Sequence, residues 1–355
     1  MDAIDAVLVD IDGHDLTIVH YEQYPIPATV QDKVRAINSH ASIAAITELD
    51  VILGQLFAGA VTSLLRTAGT EAKAVQAIGS HGQTVLHLPN DTYPRTLQIG
   101  DPARIAVMTG ITTIADFRRN DIAAGGQGAP LACAFHAWQF HATGVNRIVL
   151  NLGGMANITV LPAGSDREIT GFDTGPGNAL MDTWTQLHLH QDYDHNGGWA
   201  ASGLWNEQLL DVMLADPYFE KPPPKSTGKD EFNLDWLAQR ISATGRNIAS
   251  VDVQASLLEL TARSISAAIT KYAPDTRQML VCGGGVHNSA LMKRLAGLMP
   301  TRTIAPTDDY GVNADAVEAV TFAWLAHQRM YNLPANLPAV TGASRPVLLG
   351  AIYPS

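Results

Sequence analysis

An α/β protein of two lobes with ligands at a cleft is predicted by three features of the chain. Short apolar strands alternate with helical periodicity in both halves, glycine-rich turns follow several strands, and the second half opens as the first does. At 355 residues there is enough chain for each lobe to bury its own core. Asp and Glu (34) outnumber Lys and Arg (23), and the formal charge of -11 disfavours nonspecific attraction to nucleic acid or an anionic membrane. Cys133 and Cys282 stand apart without metal-site spacing, so two thiols in a reducing cytoplasm are expected. No apolar run is expected to reach membrane-spanning length, and the acidic first residues do not read as a signal peptide.

Taken in order, residues 5 to 21 alternate around Asp12-Gly13 and predict a hairpin. Helical periodicity runs from about 28 to 69. Short strands are predicted at 75–79, 96–99 and 112–115, with a helix at 101–109 that carries Pro102 in its first turn. Gly125-Gly126-Gln127-Gly128 breaks the pattern and is read as a hinge, giving lobes of 1–124 and 125–355, with the extreme C-terminus packing back on the first. The second half opens with a strand over 147–152, a turn at Gly153-Gly154 and a returning strand over 157–161. A third strand near 168–172 precedes Asp173, and helices follow to about 272, interrupted by Pro222 to Gly228. A last strand, 278–282, runs through Gly283-Gly284-Gly285 into a helix capped by His287 or Asn288.

The run Gly171-Phe172-Asp173-Thr174-Gly175-Pro176-Gly177-Asn178 sets one carboxylate on a turn before a helix whose unpaired amides would favour phosphate. It reads either as a base beside an anion or as a structural glycine turn. Together with Gly153-Gly154 and Gly283 to Gly285, this turn, through Gly175 and Gly177, could bring backbone amides around a nucleotide. A Walker-type loop and a Gly-x-Gly-x-x-Gly after a strand are both absent. Asp116 to Asp121 holds Arg118 and Arg119 at a strand end, suited to clamping an anion or to a solvated ion-pair loop. His81, Gln83 and Thr84 offer groups suited to sugar hydroxyls, while Ser80 and His81 face opposite ways and make a poor nucleophile and base. His188, His190, Asp192, Asp194 and His195 match no metal spacing and read as an exposed polar loop. Lys225 to Gly228 is a loop closing on a ligand or a linker.

Six ordered segments, Ile78 to Thr84, Ala115 to Pro130, Leu150 to Asn157, Gly171 to Asn178, Lys225 to Gly228 and Leu280 to Asn288, together resemble the anhydro-N-acetylmuramic acid kinase family. The resemblance covers nearly the whole chain and implies the duplicated, ribonuclease H-like fold of the sugar kinase, Hsp70 and actin superfamily. It implies a reaction in which ATP, Mg2+ and water open the 1,6-anhydro ring while oxygen 6 is phosphorylated. On that pattern Asp173 matches the catalytic base, Arg119 a sugar-binding arginine and Glu318 its acidic partner. Gly153, Gly154 and Asn157 match a phosphate loop, and Gly283, Gly284, Gly285 and Asn288 match the adenosine loop; the magnesium ligands are left unassigned. A homodimer is implied by the resemblance alone.

Family members resembling this chain begin with a strand and a Met-Ser-Gly-Thr-Ser-like loop before an acidic segment similar to Asp2-Ala3-Ile4-Asp5, where Asp2 would face the nucleotide. Here Met1 falls inside that motif, so weak ATP binding or low stability is expected, and a kinase-fold binding protein or inactive paralogue is the alternative. A kinase for an ordinary hexosamine is a further enzyme reading.

Overall fold

The computed structural model describes residues 3–37, 41–164 and 167–355, so Asp2 lies outside the described residues. In chain order the strands are β1 (Ala3–Asp12), β2 (Asp15–Pro25), β3 (Ile78–Gly79), β4 (Gln83–Leu88), β5 (Arg95–Ile99), β6 (Thr113–Ala115), β7 (Arg147–Leu152), β8 (Met155–Leu161), β9 (Thr170–Pro176), β10 (Gln278–Cys282), β11 (Thr303–Pro306) and β12 (Ala351–Tyr353). The chain forms two compact units, one of the residues up to Gln139 together with Ala316–Ser355, the other Phe140–Asp315. The division expected at 124/125 is therefore displaced to 139/140, and the chain returns to the first unit at 316. Asp121 explains why the glycine cluster stays inside the first unit. Its buried carboxylate accepts the Gly128 amide at 2.7 Å, the Asn336 side-chain amide at 2.7 Å and the Thr341 hydroxyl at 2.8 Å.

In the second unit the sheet order is β11-β10-β7-β8-β9. β7, β8 and β9 are antiparallel in succession, whereas β10 pairs parallel with β7 and β11 parallel with β10. Counted within the unit, the order is 3-2-1-4-5 from the β9 edge, the ribonuclease H-like arrangement. The central strands read as unbroken apolar runs because helices cover both faces: Ile148, Val149, Leu150, Met279, Leu280 and Val281 are fully buried. The Ser250–Tyr272 helix supplies much of the opposing surface through Leu257, Leu260, Ile265 and Ile269.

The first unit distributes its strands differently. β1 and β2 form a hairpin closed by Gly13 and His14, with Gly13 at the positive φ of +62° that a two-residue turn needs. β3 and β6 are parallel neighbours, and β12 adds antiparallel to β6, which brings the C-terminus onto this unit. β4 and β5 form a further hairpin, and β4 is a strand the sequence reading leaves unassigned. The repeat thus holds for the opening hairpins, while the five-stranded sheet has no counterpart among the described residues of the first unit.

The expectation that no apolar segment reaches spanning length is corrected by the Ile43–Ala68 helix. Its 26 residues are long and apolar enough to cross a membrane, by length and composition alone. Scattered polar residues, among them Glu48, Asp50 and Gln55, break the run in sequence without interrupting the helix. The helix packs on β1, β2, β5 and the Pro102–Thr109 helix.

Gly79 sits where the Val317–Met330 helix crosses β3. A Cβ there would lie 2.1 Å from the Phe322 carbonyl oxygen, a backbone atom that cannot rotate away. Gly79→Ala is expected to cost about 3 kcal/mol and lower the melting temperature by roughly 6–12 °C. A thermal melt within about 2 °C of the parent would contradict this close approach.

Candidate active site

Asp173 lies within β9, not on the turn beyond it, which corrects the sequence reading. The strand continues to Pro176 because β8 pairs with it to the end. Across the sheet Asp173 faces Asn157, and Asn157 faces Asn151, so three polar residues lie in a row on one side of β9, β8 and β7. All three are half-buried amid core neighbours. The Lys225–Gly228 loop, read from the sequence as closing on a ligand or as a linker, packs directly against Asp173. Thr227 donates its amide to Asp173 Oδ2 at 2.9 Å, and the Asp173 amide donates to the Lys225 carbonyl at 3.0 Å. The Tyr218 hydroxyl donates to the Asp173 carbonyl at 2.7 Å, and Lys225 Nζ donates to the carbonyls of Tyr218 and Phe219. Oδ1 of Asp173 accepts no hydrogen bond among the described residues. Burial pushes this carboxyl up to about 6, against the opposing pull of the Thr227 amide and the Lys225 charge.

At the start of the Ala179–Leu189 helix the first amides are already paired, although no side chain caps the helix. The amides of Gly177 and Ala179 donate to the Gly154 carbonyl at 2.9 and 3.0 Å, and that of Asn178 to Gly153 at 2.9 Å. Gly177 is required for this closeness, since a Cβ would stand 2.4 Å from the Gly153 oxygen. Gly175 lies inside β9. Gly283 donates its amide to the Ala314 carbonyl at 2.9 Å, Gly284 and Gly285 begin a short 3-10 turn, and Asn288 caps the Ser289–Leu298 helix by accepting the Leu291 amide at 3.0 Å. Because β7 and β10 are parallel neighbours, the turns that follow them emerge side by side. Asp194 is buried, its oxygens accepting the amides of Trp199 and Ala200, so the polar segment around it is not wholly exposed as expected.

In the first unit a cavity of about 760 Å³ is lined by residues that include Leu8, Phe57, Ile78, His81, Gln83 and Glu318. Arg118 donates to His81 Nε2 from Nε at 3.1 Å and lies 2.8 Å from it through Nη2, and it donates to the Gly128 carbonyl from Nη1 at 2.7 Å. A guanidinium only donates, so His81 carries its own proton on Nδ1. Burial and the Arg118 charge hold the imidazole down at about 3, neutral throughout the working range. The Phe322 ring rests on it with centroids 4.5 Å apart. The Glu318 carboxylate is reachable by water yet surrounded by protein, as a group opening on a cavity is. Desolvation raises its pKa, Arg118 opposes, and Asp5 adds to the rise.

The family model described as anhydro-N-acetylmuramic acid kinase matches residues 1–355. A protein of that name from Coxiella burnetii is 48% identical over 355 residues, covering 99% of this chain and 94% of its own length. The chain belongs to the anhydro-N-acetylmuramic acid kinase family. A Vibrio cholerae relative of the same name is 47% identical over 99% of this chain and 95% of its own length. A solved ROK family glucokinase from Streptomyces griseus in complex with glucose and AMPPNP covers 91% of this chain and 99% of its own, at 15% identity and a TM-score of 0.35.

For this member of the kinase family, an enzyme by that membership, the structure gathers Asp173, Asn157, Gly153, Gly154 and Gly177 in the second unit. It gathers His81, Gln83 and Glu318 around the cavity of the first. Thr84 and Arg119 stand outside that cavity. The Thr84 hydroxyl accepts the Gln98 side chain at 3.1 Å, and Arg119, more than half exposed, pairs with Asp116 at 3.3 Å beside a separate hollow. Sequence reasoning offered both Arg118 and Arg119 as a clamp but gave the sugar to Arg119, and it missed Asn151. Asn151 could have been found by counting register back from the Gly153-Gly154 turn to Asn157; Arg118 had no signal separating it from Arg119. The reading as a non-catalytic paralogue finds no support among the relatives.

Proposed function

We propose that this chain uses ATP to phosphorylate oxygen 6 of 1,6-anhydro-N-acetylmuramic acid while water opens the anhydro ring, giving N-acetylmuramic acid 6-phosphate for cell-wall recycling in the cytoplasm. Asp173 takes a proton from the water that attacks the anomeric carbon. The bond from that carbon to oxygen 6 breaks, oxygen 6 takes the terminal phosphoryl group, and ADP departs. The observation that carries the reading is the Asp173 carboxyl, fixed through Oδ2 by the Thr227 amide and poised near 6, where an ionised base retains useful proton affinity. Arg118, His81 and Glu318 are proposed to hold the sugar, with Gly153, Gly154 and Gly283 to Gly285 at the nucleotide. Among the described residues no three His, Cys, Asp or Glu side chains form a metal-holding group. Mg2+ is therefore proposed only as a companion of the ATP phosphates, where phosphate oxygens and water can fill its coordination sphere. A homodimer is proposed from the family resemblance.

ATP consumption followed with the anhydro sugar and with open-ring N-acetylmuramic acid tests the reading. Turnover with the anhydro sugar is expected; equal or greater turnover with the open-ring sugar would sink it in favour of an ordinary hexosamine kinase. The base must be ionised, so kcat/KM is expected to hold above pH 6 and to fall about tenfold per unit below it. A profile flat from pH 7 down to 5 would remove Asp173 from the base role.

A further inference from the structure

Lys229 follows the loop that fixes Asp173, so the segment donating the Thr227 amide to the base also carries a cation one residue beyond Gly228. Its Cε lies 3.5 Å from the position a Cβ on Gly154 would occupy, which places the aliphatic stem over the Gly153-Gly154 turn. The side chain is exposed, and among the described residues its ammonium has no carboxylate within ion-pair distance. Lys225, four residues earlier, is already engaged with the carbonyls of Tyr218 and Phe219. On the turn beneath, both carbonyls accept amides from residues 177–179, while the Gly153 and Gly154 amides donate to no protein acceptor among the described residues. Bare amides beside an uncompensated ammonium make an environment for an oxyanion.

We propose that Lys229 contacts the terminal phosphate of the nucleotide above the Gly153-Gly154 turn. This rests on the reading of the chain as an ATP-dependent kinase. The cation then serves the group that is transferred and not the nucleoside, so its loss separates ATP from ADP. A residue with only a structural role would weaken both nucleotides alike or neither.

The test is calorimetric titration of the parent, Lys229→Ala and Lys229→Arg with a non-hydrolysable ATP analogue and with ADP, alongside thermal melts. Lys229→Ala is expected to lose roughly 10- to 100-fold in affinity for the ATP analogue while ADP changes by less than about threefold. Lys229→Arg, which keeps the charge, is expected to retain most of the analogue affinity. All three chains are expected to melt alike, because the side chain is exposed. Equal losses for both nucleotides, or an analogue affinity unchanged in Lys229→Ala, would overturn the inference and leave the kinase reading intact. A parent chain that binds neither nucleotide and transfers no phosphate would overturn the kinase reading, and this inference with it.

Discussion

Replacing Asp173 by Asn is expected to lower turnover by about 10²- to 10⁴-fold and to leave the protein as stable as its parent or more so. The amide keeps the acceptor for the Thr227 N–H, so the loop at 225–228 stays in place. It cannot take a proton from water. The stability gain follows from the sign of the pKa shift. Asp173 has its carboxyl raised from an ordinary value of 3.8 to about 6 chiefly by burial, so its ionised form is disfavoured by folding. Stability from this group is present in full below pH 3.8 and is lost as pH rises through 6. At neutral pH the neutral amide escapes that penalty, by about 1–2 kcal/mol after partial solvent access and a weaker bond to Thr227 are discounted. Thermal melts of parent and variant at pH 5 and pH 8 check this: the advantage of the variant grows with pH. An inactive variant that melts well below its parent at both values would mean that the carboxylate serves the fold.

The second large effect is expected at Arg118, and it divides two adjacent arginines. Arg118→Ala removes bonds to His81 and to the Gly128 carbonyl and strips Glu318 of its opposing charge. A loss of about 1–3 kcal/mol in stability is expected, since the His81 and Gly128 acceptors lose their donor, while Glu318, reachable by water, adds little. The KM for the sugar is expected to rise about 10-fold or more through the disordered wall. Arg118→Lys is not a remedy, because an ammonium cannot present the fork that meets both His81 and Gly128. Arg119→Ala removes a 3.3 Å pair with Asp116 in which the arginine is mostly exposed, and is expected to cost about 1 kcal/mol, with sugar KM near that of the parent. Steady-state kinetics on both variants decides the matter. A sugar defect in Arg119→Ala alone would return the binding role to the residue that the family resemblance picked.

The parts legible in the sequence are those whose signal is local. β7 and β10 are apolar runs, the Pro102–Thr109 helix shows its proline, and the β1–β2 hairpin is marked by Asp12-Gly13, although Gly13 and His14 close it. What the sequence conceals depends on distant partners. β4 begins among Gly, Ser, His and Gln, residues that look like a loop until β5 supplies the opposing edge. Asp173 reads as a turn residue because the glycines around it dominate the local pattern, while the strand is imposed by Asn157 and its neighbours on β8. The amides at residues 177–179 look unpaired until Gly153 and Gly154, more than twenty residues upstream, are seen to accept them. Arg118 and Arg119 are chemically identical in the sequence and are told apart only by their partners, His81 and Gly128 for the first and Asp116 for the second.

The central claim is chemical, and the fate of water oxygen tests it most directly. The reaction is run with ATP and the anhydro sugar in water enriched in oxygen-18 and quenched before the anomeric hydroxyl exchanges, and the product is read by mass spectrometry. Heavy oxygen at the anomeric carbon of a phosphorylated open-ring sugar, with none in the phosphate, is the expected result. Label in inorganic phosphate, or a phosphorylated sugar whose anhydro ring survives, would contradict it.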